Sequence, residues 1–304
     1  MRILVTGAQG MLAHALLPCL QTEHEVVGVD VGDFDITQGA GVQRAFREVR
    51  PELVFHLAAY TDVDGCEANP ERADAVNAQG THNVARACAD WGARLLYVST
   101  DYVFDGRGNR PYRGEDPPNP LSVYGRSKLR GEQHVQALLA RHFIVRSAWL
   151  YGPGGKNFVA TIRRLAAERD EIRVVNDQHG SPTYTRHLAR KLAQFSATPD
   201  YGIYHVTGAG SCSWFEFARA ILDSPCPQPC RVVGVSTEEF GRPARRPAYS
   251  VLDNHRLVAG HLGLLPDWRE GLAEYLQEGQ RLGEFAAPTP RPEKSSLQGE
   301  GIRT

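Results

Sequence analysis

An excess of charge is the first thing this 304-residue chain lacks: 34 basic side chains stand against 35 acidic ones, for a formal net charge of -1. Holding nucleic acid by phosphate neutralisation needs a basic surplus, so that partner class is set aside. No apolar run approaches the ~18 residues of a membrane span. The N-terminus enters its first apolar stretch at Ile3 without the grammar of a secretion signal. A cytoplasmic protein with no membrane partner is expected. The six cysteines, at 19, 66, 88, 212, 226 and 230, follow no disulfide framework. Cys226 and Cys230 have no second Cys or His pair at ligand spacing and sit among prolines, so a surface loop is expected there and no metal. Repeats at solenoid periods are absent. Lysine is scarce, with four residues at 128, 156, 191 and 294, so a lysine at a meaningful spacing carries extra weight.

What is present is ordinary globular material, 42% hydrophobic and 23% charged, in a chain long enough to bury a core without disulfides or metals. Short apolar runs at 2–6, 25–30, 53–57, 95–99 and 143–147 alternate with amphipathic helical stretches. That rhythm predicts an α/β protein: a Rossmann-type, doubly wound parallel sheet with helices on both faces. Beyond residue 150 it becomes less regular, with strands expected at 173–176 and 202–206 and a helix over 214–223. The expected division is a nucleotide-binding domain at 1–150 and a smaller C-terminal substrate-binding lobe at 151–285, with segments interleaved between them. The Pro-, Ser- and charge-rich stretch 286–304 reads as a mobile tail.

Between the first strand and the first helix lies Thr6-Gly-Ala-Gln-Gly-Met-Leu-Ala13. Gly7 permits the tight turn, Gly10 lets the backbone approach a pyrophosphate, and Ala13 takes the small position where helix packs on strand. The free N–H groups of the helix start then face phosphate. Asp30 closes the second strand, 20 residues after Gly10. A carboxylate there bonds adenosine ribose hydroxyls and repels a 2′-phosphate, which favours NADH, although an arginine elsewhere can admit NADPH.

Ser122-Val-Tyr-Gly-Arg-Ser-Lys128 opens a helix after the fourth strand. Residues four apart share a helix face, so the Tyr124 phenol and the Lys128 ammonium point into one cleft. With 11 tyrosines and four lysines in the chain, chance supplies about 0.14 such spacings. A nearby cation is expected to pull the Tyr124 pKa down from ~10, making it a general acid for a carbonyl that is gaining a hydride. A hydroxyl at Thr100 or Ser99, on the preceding strand end, can hold that carbonyl.

Together these features resemble the extended short-chain dehydrogenase/reductases, and within them the family of dTDP-4-dehydrorhamnose reductases. The stretches that carry the resemblance are Ala58-Ala-Tyr-Thr-Asp-Val-Asp64, Ser99-Thr-Asp-Tyr-Val-Phe-Asp-Gly106, Tyr124-Gly-Arg-Ser-Lys128, Arg146-Ser-Ala-Trp149 and Gly180-Ser-Pro-Thr183. They lie within a likeness running from residue 1 to about 275. It implies NADPH- or NADH-dependent reduction of the 4-keto group of a dTDP-linked 6-deoxy-4-ketohexose, the last step to dTDP-L-rhamnose for cell-wall polysaccharide. It makes Thr100, Tyr124 and Lys128 catalytic. It places Gly7, Gln9, Gly10, Met11, Asp30, Asp35, Ile36, Ala58, Ala59 and Tyr60 on the cofactor, together with Tyr124 and Lys128. Thr61, Val63, Thr100, Tyr102, Phe104 and Trp149 would line the sugar, and Arg242-Pro-Ala-Arg-Arg-Pro247 would face its diphosphate. Some members of this family dimerise through Mg²⁺ held by glutamates. The corresponding position on the first helix is Ala15, so no metal is carried over and a monomer or homodimer is expected. The same resemblance also covers reductases of other dTDP-4-keto sugars, of the dihydrostreptose type. A non-catalytic role like that of the regulatory subunit of methionine adenosyltransferase is a further reading. Nucleotide-sugar epimerases share the fold, and Ser-Thr-Asp-Tyr-Val-Phe counts against them.

Overall fold

The computed structural model describes residues 1–223 and 230–282, so Cys226 and the tail expected over 286–304 lie outside the described residues. In chain order the first half holds β1 (Arg2–Thr6), α1 (Met11–Gln21), β2 (Glu25–Val29), α2 (Gly39–Val49), β3 (Leu53–His56), α3 (Val63–Ala68), α4 (Pro70–Asp74), α5 (Thr81–Trp91), β4 (Arg94–Thr100), α6 (Val123–Leu138) and β5 (His142–Ser147). A π-helical turn over Ala75–Gly80 joins α4 to α5, and a short 3₁₀ turn over Asp101–Val103 follows β4. The second half holds β6 (Leu150–Tyr151), α7 (Phe158–Glu168), β7 (Glu171–Val175), β8 (His179–Gly180), β9 (Thr183–Tyr184), α8 (Thr185–Gln194), β10 (Gly202–His205), β11 (Cys212–Ser213), α9 (Trp214–Leu222), β12 (Arg231–Val235), α10 (Thr237–Phe240), α11 (His255–Ala259) and α12 (Trp268–Leu282).

Six strands form one sheet in the order β10-β5-β4-β3-β1-β2, every pair parallel. The central strands bury both faces, and each face therefore needs its own cover. On one side α1 and α8 supply it, with Leu12, Leu16, Leu188, Leu192 and Phe195 packed on Ile3, Val5, Phe55 and Phe143. On the other, Val42 and Phe46 of α2, Val84 of α5 and Val135 of α6 meet Leu4, Val54, Leu95 and Ile144. The strand order reverses between β1 and β3, and the crevice beyond their carboxyl ends is where such sheets bind ligands.

Residues 202–206 fall within 151–285, the stretch expected to have segments interleaved with the first domain. β10 lies at the edge of the main sheet, in register with β5 from Gly202 opposite Phe143 to His205 opposite Arg146. α8 precedes it and closes the α1 face. The signal is in the packing: Phe195 and Tyr204 complete an aromatic cluster around Phe143, with ring centroids 5.1 and 6.3 Å away. The rest of the second half has its own core, where α7, α9 and α12 surround Tyr151, Phe217, Trp268 and Tyr275.

Candidate active site

The site begins at the glycine turn. Gly7 has φ +73°, and a Cβ on it would stand 2.7 Å from the Ala58 backbone nitrogen. Only glycine lets the β1 and β3 strand ends approach this closely. Gly10 is the N-cap of α1 and brings no side chain to its first turn, where neither a side-chain cap nor an acidic residue is found. Ala13 is fully buried. The result is a cradle with unclaimed helix N–H groups and a positive dipole end, which fits the diphosphate of a dinucleotide. Asp30 follows β2 and accepts from the Gln9 N–H at 2.9 Å, so this carboxylate is tied to the glycine turn. Of the other residues expected on the cofactor, Asp35 is exposed and holds the Thr37 N–H. Ile36 is buried among α2 and α5 rather than presented to the crevice.

Past β3 the chain runs through Ala58, Ala59 and Tyr60, held by Asn77 in the π-helical turn. Asn77 is fully buried. Its Oδ1 accepts from Tyr60 N at 2.8 Å, and its Nδ2 donates to Tyr60 O and to Ser127 Oγ, both at 3.0 Å. One side chain thereby joins the loop after β3 to the helix that carries Tyr124 and Lys128. Behind it His56, with no exposed surface, bonds Thr6 at 2.7 Å and Thr81 at 3.0 Å, so the glycine turn is braced through the same interior. Burial, with Lys128 nearby, lowers the His56 pKa to about 3.

Tyr124 and Lys128 lie in the first turns of α6. Ser122 caps that helix through Gly125 N at 3.1 Å. Gly125 has to be glycine: a Cβ there would meet the Tyr102 carbonyl oxygen at 2.2 Å. The close approach sets the 101–103 turn against α6, with the Tyr102 and Tyr124 rings at right angles, 6.0 Å apart. The Thr100 hydroxyl lies near the Tyr124 phenol and tempers the rise in its pKa. Lys128 is 2% exposed; its Nζ donates to Val98 O at 2.8 Å and lies 4.2 Å over the Tyr97 ring. The structure therefore sets Thr100 near Tyr124, with Lys128 one turn further along α6 and tied to β4.

The charges there run against the expectation that the Tyr124 pKa would be drawn down. Burial raises it, partly opposed by the Thr100 hydroxyl. Burial equally lowers Lys128 to about 7, partly opposed by Glu132 one turn further along α6. The physical reason is that desolvation of each group outweighs their attraction in the ligand-free cleft.

Around this centre, Thr61 is exposed and Val63 half-buried at the start of α3. Tyr102 faces Arg246, which also grips Asp64 through both oxygens at 3.1 Å. Trp149 has φ +49°, an uncommon backbone for a bulky residue, and stacks on Trp214 at 3.5 Å and 7°. Gly180 makes room for it, since a Cβ there would touch the Trp149 ring at 2.5 Å. Phe104 does not reach the cleft. It is fully buried, stacked 4.2 Å from Tyr112 with Arg146 over its other side, because the turn after Thr100 points it inward.

Sequence reasoning missed Asn77, His56, Asp101, Trp214 and the Glu132–Arg146 pair. Glu132 was the one with a signal, because it continues the four-residue spacing of Tyr124 and Lys128. Among the described residues, no three His, Cys, Asp or Glu side chains gather where they can hold a metal ion. No described helix is long and apolar enough to cross a membrane.

Comparison with known proteins agrees with this geometry. The RmlD substrate binding domain family matches residues 1–281. A dTDP-4-dehydrorhamnose reductase of Streptomyces griseus is 44% identical over 298 residues, covering 96% of this chain and 97% of that protein. The crystal structure of a dTDP-4-dehydrorhamnose reductase from Clostridium acetobutylicum superposes with a TM-score of 0.89 at 43% identity, over 92% of this chain and 100% of the other. That of Bacillus anthracis, determined in complex with NADP, gives 0.88 at 44% identity over 91% and 99%.

Proposed function

The chain belongs to the RmlD substrate binding domain family, and from that membership we propose that Thr100, Tyr124 and Lys128 perform in it the reaction for which its relatives are named. It is an NAD(P)H-dependent oxidoreductase that reduces the 4-keto group of dTDP-4-dehydro-L-rhamnose to dTDP-L-rhamnose. The observation that supports the residue assignment is the placement of Thr100 at the carboxyl end of β4 near Tyr124, with Lys128 one turn on in α6 and bonded to the same strand.

When bound, the reduced nicotinamide supplies a hydride to carbon 4. The glycine turn, the α1 N-terminus and Asp30 hold the cofactor, and Ala58, Ala59 and Tyr60 line its path. Thr100 orients the carbonyl, and the Tyr124 O–H gives its proton to the oxygen as charge develops there. Lys128 grips the nicotinamide ribose and offsets the phenolate that Tyr124 becomes. Burial lowers the Lys128 pKa to about 7, and an anion beside it favours the charged ammonium over the neutral amine. Tyr102, Thr61, Val63 and Trp149 receive the sugar, and Arg246 and Arg242 face the diphosphate. In this proposal residues 1–150 hold the cofactor and meet the sugar, residues 151–285 complete the substrate site through Arg242 and Arg246, and the protein works in the cytoplasm as a monomer or homodimer.

The test is loss of reduced-nicotinamide absorbance on mixing the protein with dTDP-4-keto-6-deoxyglucose, with and without the upstream epimerase, using NADPH and NADH separately. Oxidation that requires the epimerase is expected. Folded protein that oxidises neither cofactor, or prefers the unepimerised sugar, overturns the assignment. Tyr124→Phe should lower kcat by about 10²–10⁴-fold while leaving cofactor affinity intact.

A further inference from the structure

One ionisable group in the cleft has no part in the reaction as described. Asp101 directly follows Thr100, and its side chain is 2% exposed. Its Oδ1 accepts from the Thr100 hydroxyl at 3.0 Å. Its Oδ2 is fully covered and has no partner of good geometry. The Ser250 hydroxyl beside it is turned toward the His179 carbonyl at 3.4 Å. Burying a carboxylate with one oxygen unpaired is costly, whereas a carboxylic acid with its proton directed at a neighbouring hydroxyl is not. Thr100 bonds this carboxyl on one side, and on the other its hydroxyl lies near enough to the Tyr124 phenol to temper the rise in its pKa.

We propose that Asp101 stores the proton that recharges Tyr124, passing it through the Thr100 hydroxyl. This rests on the reductase reading above. The transfer balances without another reactant. Tyr124 gives its proton to the sugar oxygen and becomes a phenolate; the Thr100 hydroxyl turns from Asp101 Oδ1 to the phenolate and gives up its proton, and the acid proton of Asp101, carried on Oδ1, replaces it on Thr100. Asp101 is left as a carboxylate, to be reprotonated from solvent once product leaves. The turn geometry permits this, since the Tyr102 N–H occupies one lone pair of Thr100 Oγ1 at 3.2 Å and leaves the other for the acid.

The groups facing Asp101 are Tyr102 on its own turn, Tyr124 on α6, and Ser250, with the Arg246–Asp64 pair reached through Tyr102. Burial raises the carboxyl to about 7, while the Ser250 and Thr100 hydroxyls draw it back. A protonated store is therefore available below neutrality and exhausted above it.

The experiment measures kcat against pH for the wild type, D101N and S250A. Infrared difference spectra of the protonated carboxyl and NADPH binding by fluorescence accompany it. Wild-type kcat should fall as pH rises through about 7. D101N should lose that limb, with kcat down about tenfold or more in the acid range and NADPH affinity unchanged. S250A removes a group that favours the carboxylate, so its limb should move to higher pH, and it decides the matter should D101N not fold. A buried-carboxyl band that titrates with the limb and is absent from D101N supports the relay. A limb retained in D101N, a limb unmoved in S250A, or turnover without such a band overturns it. A titrating band in a wild type that turns over no keto sugar overturns the reductase reading instead, and the relay with it.

Discussion

Removing one partner of the Glu132–Arg146 pair should be among the most damaging single changes in the protein. The side chains are 1% and 2% exposed and meet through two bonds, Nε to Oε1 at 3.0 Å and Nη2 to Oε2 at 2.7 Å. Ser99 Oγ adds a third bond to Glu132 at 2.5 Å, and the guanidinium lies 5.1 Å over the Phe104 ring. Glu132→Gln leaves that guanidinium buried against a neutral amide. Breaking a buried pair this way costs about 3–5 kcal/mol, because the remaining charge has lost its compensation. For a protein of this size that lowers Tm by about 6–20 °C. The assay is urea unfolding followed by tryptophan fluorescence, with the slope m checked for constancy. The double variant E132Q/R146M removes both charges and should recover most of the loss, since a buried pair replaced as a whole is close to neutral. Glu132 is also the group that opposes the lowering of Lys128. E132Q should therefore lose kcat at neutral pH and regain part of it as pH falls. A loss below about 1 kcal/mol for E132Q, or a double variant showing the sum of the two single losses, refutes the reasoning.

Gly7→Ala places a methyl 2.7 Å from the Ala58 backbone at φ +73°, so it should cost about 2 kcal/mol or more and weaken NADPH binding at least tenfold by fluorescence titration. His56 and His205 are held neutral, with pKa values lowered to about 3 against 6.5 unfolded, chiefly by burial. Between those values the unfolded chain binds more protons, so stability should fall as pH drops from about 6.5 toward 3, and H205Q should reduce proton uptake on acid unfolding by about one. Unfolding free energies at a series of pH values, with unchanged slope in H205Q, would count against it. Trp149→Ala removes the face stacked on Trp214 and should raise the sugar KM about tenfold with little change in cofactor affinity, as initial rates would show.

The parts of this structure that were legible in the sequence are those set by local spacing. Short apolar runs marked the strands, because a parallel sheet covered on both faces must be apolar along its length. Tyr124 and Lys128 were visible because the helix itself puts four-apart residues together. Gly7 was visible because a strand running into a helix leaves little alternative. What stayed hidden was made by contacts between distant segments. Asp101 becomes an acid with a raised pKa only when the segment around Ser250 folds over it, some 150 positions along the chain. The upward shift of Tyr124 is desolvation, which no spacing encodes. Phe104 was misplaced because the 3₁₀ turn after Thr100 decides which of its side chains face the cleft. Which strand 202–205 pairs with is not written in its own segment, because its partner, β5, is 60 residues away.

That last pairing bears on how the protein can be cut. Expressed alone, residues 1–150 would leave β5 as an open edge and strip Leu188, Leu192 and Phe195 from the face beside α1. Such an edge is a template for self-association rather than a free-standing nucleotide module. Two pieces divided at residue 150 would each be incomplete, and the six-stranded sheet would close only when they meet. The break then serves as the seam of a split reporter, in which recovered NADPH binding reads out the encounter of whatever is fused to the two halves.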